Sequence, residues 1–336
     1  MSNSKSNEEA VLLTERDVRI IQKLHAAGWL TTQQIRDYFF PDKSTNAVCK
    51  RLRKLVTGGY IAIARTSSTE SGLYRVAGKG KITLIEHTLC TEEDISIPTQ
   101  LPRKLKHFVA VNDLRLYFEE HLCGAEVTLL YFFSERELAR YYEHPELLSE
   151  STIVYLKRYK IIPDALAKVR ITSQGAVREL TLAIEYDAGT EQASFFGRTK
   201  IKKYAALCEQ NYEHLGEFKV ITFAESVRRL VSLMRQTMFY EPPRHLFYFA
   251  SPEKLQRPQW AKADIFLEPW DFFVPVQRGN HIEVCERDLE PEDVPQHALV
   301  ALPAISPRRV STRRESDEYI SHGYHSTYEP NDLPVI

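Results

Sequence analysis

Apolar residues in the first third of the chain recur at the three- and four-residue spacing of amphipathic helices. This spacing predicts helices over about 14–28, 31–39 and 44–57. Two segments rich in strand-forming residues, 60–65 and 73–76, follow, and a polar turn over 66–72 separates them. Three helices followed by a two-stranded ribbon are typical of a winged helix-turn-helix, so we predict that architecture for this region.

The third predicted helix has an apolar back and a basic front. Val48, Leu52 and Leu55 fall at i, i+4 and i+7 and therefore share one face. A cationic helix held by one buried stripe suits the DNA major groove, where phosphates supply affinity and Asn or Arg can read base edges. The residues that we expect to contact DNA are Lys43, Asn46, Lys50, Arg51, Arg53, Lys54, Arg65 and Arg75.

Positive charge is concentrated around this helix. Residues 31–81 contain ten Lys and Arg against three Asp and Glu, a net charge of +7, whereas the whole chain has a formal charge of −1. Two alternatives stay open, because charged helix faces are often simply solvated and because winged helices also mediate protein contacts.

Length and composition indicate a two-domain protein of the cytoplasm. A chain of 336 residues with 43% hydrophobic residues can bury more than one core. No apolar run approaches the ~20 residues of a membrane helix, and the polar start has no signal-peptide core. The five cysteines are widely spaced and form no zinc-binding pattern. We therefore expect reduced thiols, no membrane partner and no cofactor, except Mg²⁺ if the chain is a nuclease.

Changes in composition divide the chain into five segments. We expect a flexible N-terminus over 1–12, the winged helix-turn-helix over 13–90, and an acidic, proline-marked linker over 91–103. A second domain follows over 104–285. The proline-rich remainder, 286–336, is predicted to be extended or partly disordered.

The second domain has the pattern of an α/β sheet protein, which makes the whole chain α+β. The order of predicted elements is α-β-β-β-α-β-α-β, with the strands at about 127–133, 161–171, 177–187, 218–223 and 246–249. This order resembles the core of the restriction-endonuclease-like fold, a mixed sheet with helices on its faces.

The resemblance to these nucleases extends to three acidic residues. Such enzymes carry an Asp near the second strand and a Glu/Asp-x-Lys motif on the third, and here Asp164 and Glu185 have the corresponding types and order. Two carboxylates on neighbouring strands could hold Mg²⁺, so both are candidate metal ligands. Asp187 stands where the motif needs a lysine. The resemblance implies that Lys200 or Lys203, from the following helix, would have to substitute.

A structural interpretation of the same residues is equally open. Glu185 and Asp187 alternate along a strand and would face the same side. Lys200 and Lys203 could then simply neutralise them as ion pairs. We therefore expect a DNA-gripping or structural cluster rather than an enzyme.

Seven short segments, taken in order, resemble the replication-relaxation family of bacterial mobile elements over roughly residues 13–240. They are LTERD at 13–17, LTTQQI at 30–35, RLRKLV at 51–56, HFVAVNDLR at 107–115, IPDA at 162–165, EYDAGTE at 185–191 and KKY at 202–204. The resemblance implies an accessory role in plasmid replication or conjugative mobilisation, with double-stranded DNA at an origin or promoter as partner. It implies no catalytic mechanism.

We expect a homodimer, and a relaxase or replication protein as a further partner. Two alternative functions follow from the second domain. One is a Mg²⁺-dependent nuclease that uses Asp164 and Glu185. The other is a transcriptional regulator whose second domain senses a ligand or a partner protein.

Overall fold

The computed structural model has two units of mixed helix and strand, which confirms the α+β class. It describes residues 11–64, 72–91, 97–121, 126–144, 151–173, 175–189, 192–250, 273–278 and 281–286. No helix in these ranges is long and apolar enough to cross a membrane.

The N-terminal unit contains the three predicted helices and both predicted strands. Its elements are α1 (Glu15–Ala27), β1 (Leu30–Thr31), α2 (Thr32–Phe39), α3 (Thr45–Thr57), β2 (Ile61–Ala64), β3 (Leu73–Val76) and α4 (Gly78–Glu86). The strands form one antiparallel sheet in the order β1-β3-β2. Strand β1 was not predicted, because two residues carry no periodicity, and α4 was not predicted because its first turn contains two glycines.

Local signals set the starts of the helices. Thr14 and Asp17 form a capping box at α1, and Thr31 and Gln34 form another at α2. The Ser44 side chain caps α3. The apolar faces of the three helices then pack around one core with β2 and β3.

The second unit is built on a five-stranded sheet. Its elements are α5 (Leu105–His121), β4 (Val127–Ser134), α6 (Glu135–Glu143), α7 (Ser151–Arg158), β5 (Ala165–Ser173), β6 (Ala176–Asp187), α8 (Ala193–Phe196), a π-helical turn (Gly197–Ile201), α9 (Lys202–Leu215), β7 (Glu217–Ala224), α10 (Val227–Met238), β8 (Phe247–Ala250), β9 (Phe273–Arg278) and β10 (His281–Glu286). Strands β9 and β10 form a separate antiparallel pair.

The sheet is mixed and is covered on both faces. Its order is β4-β5-β6-β7-β8, with antiparallel pairing up to β6 and parallel pairing from β6 to β8. One apolar core joins the sheet to α6–α10, and another joins the opposite face to α5. This arrangement leaves the C-terminal end of β6 accessible between α5 and the π-helical turn.

Three features of the second unit differ from the sequence prediction. Strands β9 and β10 were not predicted. Helices α6 and α7 lie between the first two strands, where we predicted none. The single helix predicted over 194–210 is instead α8, the π-helical turn and α9. The turn begins at Gly197, where a Cβ atom would lie 2.5 Å from the ring of Tyr240 and 2.8 Å from the side chain of Gln236 on α10, so a larger residue would displace these side chains.

Helix α5 joins the two units through buried polar contacts. Arg115 is 4% exposed and donates to the backbone oxygens of Ala26, at 2.8 Å, and Phe132, at 2.7 Å. The Asn112 amide donates to the Trp29 oxygen at 2.8 Å, and Gln34 donates to the Val109 oxygen at 2.9 Å. These contacts satisfy buried carbonyl groups and therefore fix α5 against the N-terminal unit.

Candidate nucleic-acid interface and cleft

Helix α3 presents its basic front to solvent. Val48, Leu52 and Leu55 are fully buried, as the spacing predicted. The side chains on the other faces are exposed, and of the predicted DNA contacts these are Lys43, Asn46, Lys50, Arg53 and Lys54. The structure therefore exposes four polar or basic side chains of α3 together, with Lys43 in the turn that precedes the helix.

Arg51 is engaged within the protein. It donates to both carboxylate oxygens of Asp17 on α1, with a distance of 2.9 Å from Nε to Oδ1, and to the Leu12 backbone oxygen at 2.9 Å. Asp17 is almost fully buried. Burial raises its pKa, but the hydrogen bonds from Arg51 and Thr14 outweigh this effect and lower the pKa below its ordinary value. Arg51 thus fastens α3 to α1, a role that the sequence did not reveal.

Arg65 and Arg75 are the two expected DNA contacts that flank the predicted turn between β2 and β3. Arg75 lies on β3, where its guanidinium stacks over the Trp29 ring at 5.6 Å and donates to the Val76 oxygen at 3.2 Å. Its side chain is half-buried. Arg65, with most of the predicted turn, lies outside the described residues.

A cleft of about 840 Å³ opens at the C-terminal end of β6. All five candidate site residues predicted for the second domain line this cleft. Its lining includes Lys104, Lys106, His107, Lys160, Ile162, Asp164, Glu185, Tyr186, Asp187, Phe195, Lys200, Lys203 and Glu225. The cleft is thus rich in lysine and has carboxylates in its walls.

Glu185 is buried at the base of this cleft. It is 1% exposed and accepts hydrogen bonds from Lys200 and, at 2.7 Å, from the Tyr204 hydroxyl. Burial raises its pKa to about 7, although Lys200 acts in the opposite direction. The structure therefore confirms the expected ion pair between Glu185 and Lys200.

Asp164 is held from two sides. Its Oδ2 accepts a hydrogen bond from the Tyr186 backbone N–H at 2.7 Å and lies 3.1 Å from His107 Nε2. Burial opposes ionisation of Asp164, but His107 and Lys200 outweigh it and lower the pKa of this carboxyl. Burial likewise disfavours charged His107, yet contact with Asp164 raises the pKa of the imidazole. The two groups form a mutually stabilised pair.

Asp187 pairs with an arginine, whereas the structural interpretation of the sequence offers Lys200 or Lys203 as its partner. Its two carboxylate oxygens accept hydrogen bonds from Arg229 on α10, each at 2.8 Å. Lys203 instead donates to the Lys160 backbone oxygen at 3.0 Å. The parallel pairing of β6 with β7 brings α10 beside the end of β6, and local spacing gave no sign of that long-range contact.

The carboxylates of the cleft do not form a ready Mg²⁺ site. Glu185 accepts hydrogen bonds from Lys200 and Tyr204. Asp164 Oδ2 accepts one from the Tyr186 N–H and lies beside His107, so a metal ion would compete with these donors. No group of three or more His, Cys, Asp or Glu side chains suited to a metal occurs in the described part of the chain. The donor set therefore fits an internally neutralised cluster better than an ion held by oxygen ligands.

Sequence reasoning missed several residues that complete these sites. His107, Tyr204 and Arg229 provide the partners of the three carboxylates. One signal was available in α5, where His107, Asn112 and Arg115 interrupt a helix that is otherwise apolar on several faces. Polar residues in such a helix must find partners inside the fold.

Comparison with known proteins gives one match. The family model described as replication-relaxation matches residues 21–221, more than half of the 336 residues. No curated protein and no solved structure matches the chain. The matched range contains the basic helix α3, helix α5 with its contacts to the N-terminal unit, and the acidic residues of the cleft. On this evidence the chain belongs to the replication-relaxation family.

Proposed function

We propose that this protein is a non-enzymatic, duplex-DNA-binding accessory factor of plasmid replication or conjugative mobilisation, acting at an origin or promoter. The observation that carries the proposal is the front of α3, where Asn46, Lys50, Arg53 and Lys54 are exposed together, with Lys43 in the preceding turn. The family match supports the biological setting. In this proposal the N-terminal unit is a winged helix-turn-helix.

The proposed binding mode follows from the packing of α3. Its apolar back is fixed against α1 and α2, so the helix can enter the major groove as a rigid element. Lys50, Arg53 and Lys54 would contact phosphates, and Asn46 is placed to reach base edges. The ribbon of β2 and β3 would lie against the adjacent backbone, with Arg65 and Arg75 as its cationic contacts.

For the second unit we propose a restriction-endonuclease-like scaffold that has no catalytic role. The mixed sheet with antiparallel and parallel halves supports this assignment. The unit would serve homodimer formation or contact with a relaxase or replication protein. A dimer would place two copies of α3 on half-sites about 34 Å apart. Light scattering that finds monomers alone, with and without DNA, would contradict the dimer.

The test compares two double variants on duplex DNA recovered from the host element. We expect Arg53→Ala with Lys54→Ala to weaken binding and to reduce the log–log salt slope by roughly 0.9 for each lost phosphate contact. The control, Arg178→Ala with Arg228→Ala, removes the same charge from exposed positions in the second unit. Equal affinities and salt slopes for the two variants would refute the role of α3.

A further inference from the structure

We propose that the cleft beside β6 is a second nucleic-acid site, which binds single-stranded DNA through lysines at its rim and the exposed ring of Phe195. This inference shares with the proposed function only the expectation that the ligand is DNA. It concerns a different surface, on the second unit, and a different form of the nucleic acid. The charge of the cleft, an exposed aromatic side chain and the backbone conformation of Lys160 support it.

The first observation is the balance of charge in the cleft. Five lysines line it, namely Lys104, Lys106, Lys160, Lys200 and Lys203. Three of the four lining carboxylates are neutralised within the protein: Glu185 is bound by Lys200, Asp164 by His107 and the Tyr186 N–H, and Asp187 by Arg229. The fourth, Glu225, accepts a 3.5 Å contact from the Tyr186 hydroxyl, and the lysines other than Lys200 outnumber it. The rim therefore presents an excess of positive charge, which suits a polyanion and disfavours a cationic ligand.

The second observation is an apolar surface within this cationic rim. Phe195 on α8 and Ile162 before β5 are each 47% exposed and both line the cleft. Large apolar side chains that remain accessible inside a charged cleft indicate a ligand with flat or apolar parts. Nucleobases provide such faces, and proteins that bind single strands combine aromatic platforms with a positively charged groove.

The position of Phe195 is fixed by the chain that follows. The π-helical turn Gly197–Ile201 begins two residues later and packs closely on α10 at Gly197. π-helical turns are rare and are frequently found at functional sites. The same segment carries Lys200, which pairs with the buried Glu185. Phe195 and this ion pair are therefore held by one continuous helical segment.

The third observation is the backbone conformation of Lys160, whose φ of 52° lies in the left-handed region that favours glycine. Lys160 follows α7, and the bonds from its N–H to the Lys157 oxygen and from Ile161 N–H to the Leu156 oxygen fix this conformation. A lysine is less stable here than a glycine would be. Lys160 nevertheless lines the cleft, which indicates that a lysine at this position serves a ligand there.

These features select a single strand over a duplex. In a duplex the base faces are stacked on one another and cannot reach an aromatic ring. A single strand offers both its phosphates and its unstacked bases. Such strands arise wherever an origin is melted or nicked, so the cleft would act on the same DNA after α3 has bound the duplex beside it.

The experiment measures binding of fluorescent oligothymidylate and of an origin duplex to the full chain in EDTA. We expect Phe195→Ala to weaken single-strand binding about tenfold, with Phe195→Trp restoring it. We expect Lys160→Gly to weaken it and to lower the salt slope by about 0.7, while its melting temperature stays equal to or above that of the parent. Thr88→Gly, at another left-handed position, is the control and should leave binding unchanged.

The two DNA sites are distinguished by cross-comparison. Cleft variants should keep duplex affinity, whereas Arg53→Ala with Lys54→Ala should lose duplex affinity and keep single-strand affinity. Absence of single-strand binding by the parent would overturn the proposal, as would unchanged binding in both Phe195→Ala and Lys160→Gly. Equal losses on duplex and single strand in those variants would also overturn it, because the cleft would then be part of the duplex surface.

Discussion

Arg229 on α10 donates to both carboxylate oxygens of Asp187 on β6, at 2.8 Å each, and the two side chains are 17% and 8% exposed. This ion pair occupies the position where a nuclease of the same strand order would carry a lysine. Asp187 is therefore compensated from α10, a helix of the same apolar core as α9. It fastens α10 to the end of β6 beside the cleft.

Loss of this ion pair should destabilise the second unit. We expect Asp187→Ala to lower the free energy of unfolding by about 2 kcal/mol, because it leaves the Arg229 guanidinium largely buried without its carboxylate. The double variant with Arg229→Met should recover part of that loss. Denaturant unfolding measures both. Asp37→Ala removes a solvent-exposed pair with Arg36 and is the control, for which little change is expected.

Arg51 should matter for stability, in contrast to its neighbours on α3. Arg51→Met leaves Asp17 buried without its cation, and we expect a loss on the order of 2 kcal/mol. Arg53→Ala should leave the melting temperature unchanged, because that side chain is exposed. If Arg51→Met melts like the parent and loses only DNA affinity, Arg51 is a DNA contact and not a structural one.

The same pair predicts a loss of stability in acid. The pKa of Asp17 is lowered in the folded protein, so the carboxylate contributes stability above its ordinary pKa of 3.8. That contribution is lost as the pH falls through the folded pKa. We expect Asp17→Asn to be less stable than the parent at neutral pH and to show a shallower decline below pH 4, which urea unfolding at several pH values would detect.

The raised pKa of Glu185 predicts that stability depends on pH in the opposite direction. Its pKa of about 7 exceeds the ordinary value of 4.5, so the folded state binds more protons than the unfolded state between these values. Stability should therefore fall as the pH rises through this window. In Glu185→Gln we expect this slope to flatten, and the variant to gain on the order of 2 kcal/mol relative to the parent from pH 5 to pH 8. Parallel stability curves would show that Glu185 is ionised throughout.

Strong local periodicity allowed much of the fold to be predicted. The face of α3 formed by Val48, Leu52 and Leu55 is buried as expected, because burial of one helical stripe is a local property. Helix α6 was missed although Ser134 and Glu137 form a capping box at its start. It has only nine residues and follows a strand directly, so no turn signal separated the two elements.

The sequence allowed the carboxylates of the cleft to be predicted, but not the side chains that contact them. Asp164 and Glu185 could be assigned because the order of strands places them at neighbouring ends. The bond between Asp187 and Arg229 spans 42 residues and depends on how α10 packs on the sheet. His107 reaches Asp164 only because α5 is fixed against the N-terminal unit, and no local pattern encodes that packing.

The contacts of the cleft carboxylates predict that the protein does not cleave DNA. Purified protein incubated with supercoiled or linear DNA and Mg²⁺ or Mn²⁺ should leave the DNA intact. One reason is that Glu185 already accepts hydrogen bonds from Lys200 and Tyr204. The other is that Asp187 stands where a cation would be needed to stabilise the negative charge that develops on an attacked phosphate. Asp164→Ala and Glu185→Ala are the controls that identify a contaminating nuclease. Cleavage by the parent that disappears in both variants would establish a nuclease and refute the non-enzymatic proposal. Cleavage that persists in both would come from a contaminant and leave the binding role of the cleft intact.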